Sequence, residues 1–440
     1  MTSSSVQSWG RYPHKPQFVY SAEWRNELST LLHKLTAQHK SLLPFGNGRS
    51  YGDSCLSLSD HVVQVRPLNR FISADWQTGR IVAEAGVTLE EILHAAIPNG
   101  WFLPVTPGTK FVTLGGAIAN DVHGKNHHVR GTFGCHVIQF GLIRSDRPAC
   151  VCSTTENIDL FTATIGGLGL TGIIDWVELQ LMPVESSQIS TVTIRFESLD
   201  EFIQLSNELD HQHEYSVAWV DCAAKGDATG RGVFIVGDHC KTGDLRVSEA
   251  KKLNVPLVPP ISAINQLTLN VFNTVYFHKH KSTRQYALSD YDPFFYPLDS
   301  INNWNRIYGP KGFQQYQCVI PGGNAKAAIH ELLKTISASG NGSFLAVLKR
   351  CGDIKSPGLL SFPLSGISLA LDFAQSTYID DKLFPALDKI VSEAEGRLYP
   401  AKDAHMSAEH FQQYYPEWTK LNQLKDPHLC SHFWNRVSSS

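Results

Sequence analysis

The sequence predicts an α+β protein of two lobes, and three observations lead there. The chain has 440 residues, more than one ordinary hydrophobic core organises. Glycine clusters beside strand-like runs crowd into the first 175 residues. Near Pro183 that character stops: from residue 190 to 317 glycine clusters are replaced by aromatic residues, with strand-like and helix-like runs alternating. At 42% hydrophobic and 18% charged residues the composition is globular rather than disordered or coiled-coil.

Taken in order, residues 23–39 predict a helix, with Leu28, Leu31, Leu32 and Leu35 spaced for one buried face. Residues 42–45 form a short strand running into the first glycine loop, and residues 61–65 and 80–84 read as further strands. Thr88 and Glu91 make a capping box for a helix over 89–96, which Pro98 and Gly100 end. Beyond a glycine-rich run at 107–128, strands are expected at 137–143 and 149–152, a helix at 158–164, and an alternating half-buried strand at 173–182. In the second half, strands are expected at 216–220, 232–236, 343–349 and 367–373, helices at 324–339 and 382–395, and a helical tail from 407.

Charge and cysteine usage exclude several classes. Lysine plus arginine number 38 against 41 acidic residues, a net charge of −3, so no bulk electrostatic pull draws the chain to nucleic acid. Nine scattered cysteines, odd in number, do not resemble a disulfide framework and read as reduced thiols. No apolar run is long enough to span a membrane, and residues 1–15 lack the apolar core of a signal peptide, so a cytoplasmic protein is expected, with peripheral membrane contact left open. Nineteen histidines invite a metal, but His123 and His127 sit among glycines and no H-E-x-x-H pattern exists, so no metal site is expected. No G-x-S-x-G elbow supports a serine hydrolase.

The glycine clusters carry the chemistry. The run at 107–128, PGTKFVTLGGAIANDVHGKNHH, combines backbone open to a bulky anion with the ionisable trio His123, Lys125 and His127. It reads either as a clasp for a phosphate-bearing cofactor that offers side chains to its reactive end, or as a glycine-rich turn with surface histidines. Gly46, Gly48 and Gly52 miss the dinucleotide fingerprint by one residue, while Gly167, Gly169 and Gly172 match its spacing but lead into a strand. Together the three clusters suggest loops converging on one long ligand. Lys402, after a short apolar strand and beside Asp403, reads as a placed cation or low-pKa base, or else as a solvated surface lysine.

At this point the residues amount to a resemblance. RSYGD at 49–53, PGT-x-x-VT-x-GGAIA-x-D-x-HGKNHH at 107–128 and GG-x-GLTGII at 166–174 resemble the flavin-binding domain of the vanillyl-alcohol oxidase/p-cresol methylhydroxylase (PCMH) superfamily. Within it, HGKNHH combined with Y-x-AKD at 399–403 resembles the decaprenylphosphoryl-β-D-ribose oxidase family, over nearly the whole chain from Trp9 to Arg436. The resemblance implies a two-domain α+β flavoprotein: a PCMH-type FAD-binding domain at 9–183, a substrate domain with an antiparallel sheet at 184–395, and a segment at 396–440 returning to the first.

It also implies non-covalent FAD, because Tyr51 occupies the place where other superfamily members carry a flavin-linking histidine. FAD contacts are implied for Phe45, Gly46, Asn47, Gly48, Arg49, Ser50, Tyr51, Gly52, Asp53 and Ser54. They are implied likewise for Gly108, Thr113, Leu114, Gly115, Gly116, Asn120, Asp121, Val122, His123, Ile174 and Tyr399. Lys402 and His123 take the catalytic places; Lys125, Trp219, Gln315, Gln317 and Lys349 take those around the substrate.

The implied reaction oxidises the ribose 2-hydroxyl of a polyprenyl-phosphoryl sugar to a ketone. A partner short-chain keto-reductase then completes epimerisation to the arabinose form, and a quinone or other acceptor takes the electrons. Ser368, Ala370 and Phe295-Tyr296 depart from better-known members, which leaves the exact sugar and lipid open. Residues 267–277 are a place where a lipid chain could lie. The alternatives are an alditol or aldonolactone oxidase using oxygen, and a FAD-free carbohydrate-binding protein.

Overall fold

A computed structural model describes residues 5–248 and 252–439. Its sheets separate along the chain near Pro183. Before that point lie a three-stranded parallel sheet and a five-stranded antiparallel sheet; after it lies one eight-stranded antiparallel sheet. The small sheet places His61–Gln64 between Phe18–Ser21 and Leu43–Phe45. The five-stranded sheet runs Phe71–Asp75, Arg80–Glu84, Ile173–Gln180, Val137–Ile143, Cys150–Ser153.

The eight-stranded sheet begins Gln285–Asp290, Gln188–Phe196, Gly232–His239, Tyr215–Val220 and continues Val347–Cys351, Gly366–Ala374, Phe313–Pro321, Arg397–Leu398. Its register decides the site. Gln315 pairs with Asp372, Gln317 with Ala370, and Lys349 with Ser368, so residues distant in sequence stand side by side on one face. The opposite face is dry. It packs on the helices Leu199–Leu209, Gly322–Ser339 and Phe384–Glu393 through Phe202, Ile329, Leu332 and Leu387.

Many elements fall where the periodicity puts them. Arg25–Thr36 buries Leu28, Leu32 and Leu35, and Leu89–Ala96 is closed by reciprocal bonds between Thr88 and Glu91. Three differ. The strand expected from residue 343 starts at Val347, because the Ser343 hydroxyl donates to the Leu345 carbonyl and accepts the Leu345 and Asp372 N–H groups, holding the chain out of the ladder. The Gly115-Gly116 step is no open turn. It lies in a short helix, Leu114–Ala119, whose N-cap Thr113 accepts from Gly116 N–H while Leu114, Ala117 and Ile118 are buried. Phe71–Asp75 is exposed along its length and so shows no hydrophobic alternation to read.

The C-terminal residues run back to the first sheets. Leu42 N–H donates to the His428 carbonyl and its own carbonyl accepts from the Cys430 N–H across the Leu42–Leu429 bridge, and Ser57 bridges Ser431. The helix His432–Ser438 thereby lies against the first glycine loop.

Candidate active site

All three glycine clusters open onto one cavity of about 890 Å³, near the upper end of the roughly 300–1,000 Å³ common for small-molecule sites. Side chains are excluded from its glycine wall by geometry. A Cβ on Gly46 would lie 2.4 Å from Thr113 Oγ1, and Gly48 holds φ +61°, which L side chains rarely adopt. Among the described residues, no protein acceptor meets the N–H groups of Asn47, Gly48, Arg49 and Ser50. Arg49 Nε and Ser54 Oγ are likewise buried in this wall without a partner. A row of donors with nothing to donate to, beside a glycine cradle, fits a polyanion such as the pyrophosphate of a dinucleotide. Gly169, Gly172, Leu168 and Ile174 line the same cavity.

Cations gather elsewhere in this space. His123 lies on the loop between Leu114–Ala119 and the short helix His127–Arg130. Lys349 Nζ donates to His123 Nδ1 and, at 2.8 Å, to the Gly124 carbonyl, while the Gln317 amide lies 3.1 Å from Nε2. Burial, then the Lys349 charge, pushes His123 well below its ordinary value, so the ring is neutral. A neutral ring carries one proton. With an ammonium on Nδ1 that proton belongs on Nε2, and the Gln317 amide then meets it with its oxygen turned to the ring.

Lys402 holds its ammonium 3.7 Å from the centre of the Tyr51 ring. Burial lowers its pKa and Asp372 partly restores it; burial raises Asp372, whose Oδ1 accepts from Gln315 at 2.6 Å. Burial likewise lowers Lys349 to about 8 and Lys125 to about 7. Lys125 donates to the Phe294 carbonyl and sits 4.4 Å over the Phe294 ring. Tyr399 donates to the Asn120 carbonyl at 2.7 Å, stacked on Phe362. The chemistry available is anion binding together with proton transfer by a lysine poised near neutrality.

Most residues singled out from sequence meet in this cavity: Gly46, Asn47, Gly48, Arg49, Ser50, Tyr51, Ser54, Gly108, Thr113, Gly115, Gly116, Asn120, Val122, His123, Lys125, Ile174, Gln315, Gln317, Lys349, Tyr399 and Lys402. Six stand behind the wall. Phe45 and Leu114 are core residues. Gly52 lies against the Asp403 carbonyl, where a Cβ would come within 1.7 Å. Asp53 pairs with Arg436 instead of facing a ligand. Asp121 accepts from Ser356, Ser361 and the Gly134 N–H. Trp219 is roofed by Tyr276 at 4.7 Å, with its indole donating to the Phe344 carbonyl.

His127 and His128 also have structural partners: His127 Nδ1 accepts from the Gly352 N–H, and His128 Nε2 contacts the His213 carbonyl. Sequence reasoning missed Asp372, Trp9 and Trp304 as cavity residues. Nothing local marks Asp372; only its register opposite Gln315 gives it away. Asp299 also lines the cavity and accepts from the Lys110 N–H at 2.8 Å.

Comparison with known proteins now adds to this geometry. Residues 16–146 match the FAD binding domain family, and these include the first glycine loop and the Thr113–Gly116 segment. Fold and cavity therefore define a two-domain FAD-dependent oxidoreductase of the PCMH type, acting on CH–OH groups, with FAD as its cofactor. The chain is 33% identical to decaprenylphosphoryl-β-D-ribose oxidase of Mycolicibacterium smegmatis over 97% of its length and 95% of the relative's. It is 30% identical to an uncharacterised protein of Streptomyces coelicolor over 78% of this chain and 96% of that protein. Similarity to mouse L-gulonolactone oxidase, at 25% identity, covers 52% of the chain and 54% of the relative. The chain belongs to the decaprenylphosphoryl-β-D-ribose oxidase family.

Proposed function

We propose that this enzyme oxidises the 2-hydroxyl of a polyprenyl-phosphoryl-β-D-ribose to the 2-keto sugar. The observation that carries the reading is the convergence of Lys125, Lys349 and Lys402 on the cavity that also holds the glycine cradle. Free sugars carry no charge, and three lysines and Arg49 against Asp299 and Asp372 suit a substrate with a phosphate. The similarity to L-gulonolactone oxidase, over half the chain, supports the aldonolactone alternative less well than near-complete coverage supports this one.

The free amides of Asn47 to Ser50 would hold the FAD pyrophosphate, with Asn120, His123 and Tyr399 beside the ring system; the N–H groups of Leu114, Gly115 and Gly116 are taken by the Val87 and Ala85 carbonyls and the Thr113 hydroxyl. Bound FAD supplies the acceptor for the hydride leaving the sugar carbon. Lys402, with its pKa lowered towards neutrality, takes the hydroxyl proton and becomes an ammonium facing Asp372. His123, neutral and with both ring nitrogens engaged by Lys349 and Gln317, positions those two side chains against the substrate. Lys125 and Lys349 bind the phosphate. Gly52 and Asp53 act on the site by holding the loop.

We further propose the domain limits given above, supported by the change of sheet at Pro183 and by the return of the C-terminal helices. The ketone calls for a short-chain reductase as partner, and the electrons pass to a quinone or other acceptor. Among the described residues no helix is long and apolar enough to cross a membrane. A lipid-linked substrate nonetheless supports a cytoplasmic enzyme working at the inner face of the membrane.

The test is anaerobic flavin bleaching against polyprenyl-phosphoryl pentoses and free sugars. Bleaching by the ribose lipid alone is expected. Bleaching by free sugars, with peroxide formed in air, would replace this reading with that of an oxygen-using sugar oxidase.

A further inference from the structure

From Lys252 to Ser289 the chain contains no aspartate or glutamate, yet it carries Lys252, Lys279, Lys281 and Arg284. The same stretch exposes large apolar side chains: Leu253 at 70%, Leu257 at 78%, Ile261 at 77% and Leu267 at 73%. In the helix Gln266–Lys279 the buried positions are Leu269, Asn273 and Phe277, while Leu267, Val271 and Val275 recur every four residues on the solvent side. A surface helix ordinarily turns its apolar stripe to the core. This one has a second stripe left outside.

The strip is continuous with the cavity. Leu253 precedes the cavity residue Asn254, and Leu253–Asn254 pairs with Ile301–Asn302, which also line it. Further along, Tyr276 covers Trp219, and Phe272 packs on Phe344 beside the cavity residue Leu345. A lipid emerging between these elements would leave the cavity at the apolar strip.

We infer that this strip is a membrane-docking face, which inserts Leu257, Ile261, Leu267, Val271 and Val275 into the interface of an anionic bilayer and sets Lys279 and Lys281 against its headgroups. Lys252 and Arg284 pair with Glu90 and Glu208, whereas Lys279 and Lys281 have no ion-pair partner among the described residues. Apolar side chains flanked by cations are the composition of an interfacial anchor. A second copy of the chain fits less well, because a twofold contact on this strip would bring its unneutralised lysines towards their own copies. The inference concerns the surface alone and stands whether or not the proposed sugar is the substrate.

The experiment is flotation of the FAD-loaded enzyme with vesicles of phosphatidylcholine, or of phosphatidylcholine mixed with phosphatidylglycerol. Binding to the mixed vesicles and weaker binding to the neutral ones are expected. Leu267→Glu, Val271→Glu and Val275→Glu should each weaken both by at least about tenfold, the change that burial of one apolar side chain represents. Lys279→Glu and Lys281→Glu should each weaken only the mixed-vesicle binding, by at least about fivefold. An unchanged flavin absorption spectrum shows that a variant is folded. The inference is overturned by absence of flotation, by equal binding to both vesicle types, by indifference to the glutamates, or by a dimer that the same glutamates dissolve.

Discussion

Arg436, on the last helix, holds the two acidic residues that close the RSYGD and Y-x-AKD sequences. Its Nη2 lies 2.8 Å from Asp53 Oδ1 and 3.0 Å from Asp403 Oδ2. Asp403 follows Lys402 directly, and Tyr51 N–H donates to the Ala401 carbonyl, so the guanidinium joins the loop bearing Lys402 to the loop that cradles the cofactor. Replacing it in Arg436→Met keeps most of the volume and leaves two carboxylates, 7% and 2% exposed at the side chain, without their cation. Breaking a buried pair in this way costs about 3–5 kcal/mol. Arg436 keeps 27% side-chain exposure, so water screens part of the loss and the low end, about 3 kcal/mol, applies.

With an unfolding entropy of roughly 2.1 cal/mol/K per residue, that lowers Tm by roughly 3 °C. Scanning calorimetry alongside flavin-release fluorescence measures it. The pH dependence has a definite sign. Burial raises Asp403, but Arg436, His405 and backbone N–H groups more than offset it, leaving the pKa below 3.8. Its contribution is therefore present above 3.8 and lost as pH falls through the lower folded value. The deficit of Arg436→Met should be full at neutral pH and shrink in acid, and adding Asp403→Asn should recover part of it. A Tm unchanged at neutral pH, or a deficit that grows in acid, refutes the clamp.

Lys402→Ala should retain FAD, shown by an unchanged visible spectrum, and lose flavin reduction in stopped flow by at least about a hundredfold, the usual scale for a missing general base. Raising pH should deprotonate Lys125 at about 7 and Lys349 at about 8, so KM for a phosphate-bearing substrate should begin to rise above pH 7 and steepen above 8; Lys349→Met should remove the later rise and keep the earlier one. The same lowered pKa means that the ligand-free protein gains stability as pH climbs from about 8 towards 10.5, since the unfolded chain then holds the proton that the folded one has released. Acid precipitation should free all the flavin, because Tyr51 offers no histidyl attachment; flavin left in the pellet contradicts this. Gly46→Val should lower FAD occupancy of the purified protein, since even its Cβ would stand 2.4 Å from Thr113 Oγ1.

Much of this enzyme is local and therefore legible in the chain. Capping boxes, helix periodicity and strand alternation report themselves over a few residues, and Thr88, Glu91 and Leu28–Leu35 spacing suffice to place their helices. Three glycine clusters, with HGKNHH and Y-x-AKD, were enough to name a flavoprotein family and many residues of the cavity wall. What folding alone decided is which side chains face one another. The register of the eight-stranded sheet sets Asp372 opposite Gln315, and so within reach of Lys402's field, with no local signal to announce it. Packing turned Asp53 and Asp121 inward, because each finds a cation or hydroxyl donors behind the wall, and the helix Gln266–Lys279 closed over Trp219. Sequence specifies propensities and chemistry residue by residue. The direction a side chain faces, and the partner that then fixes its charge, are settled only when distant strands come together.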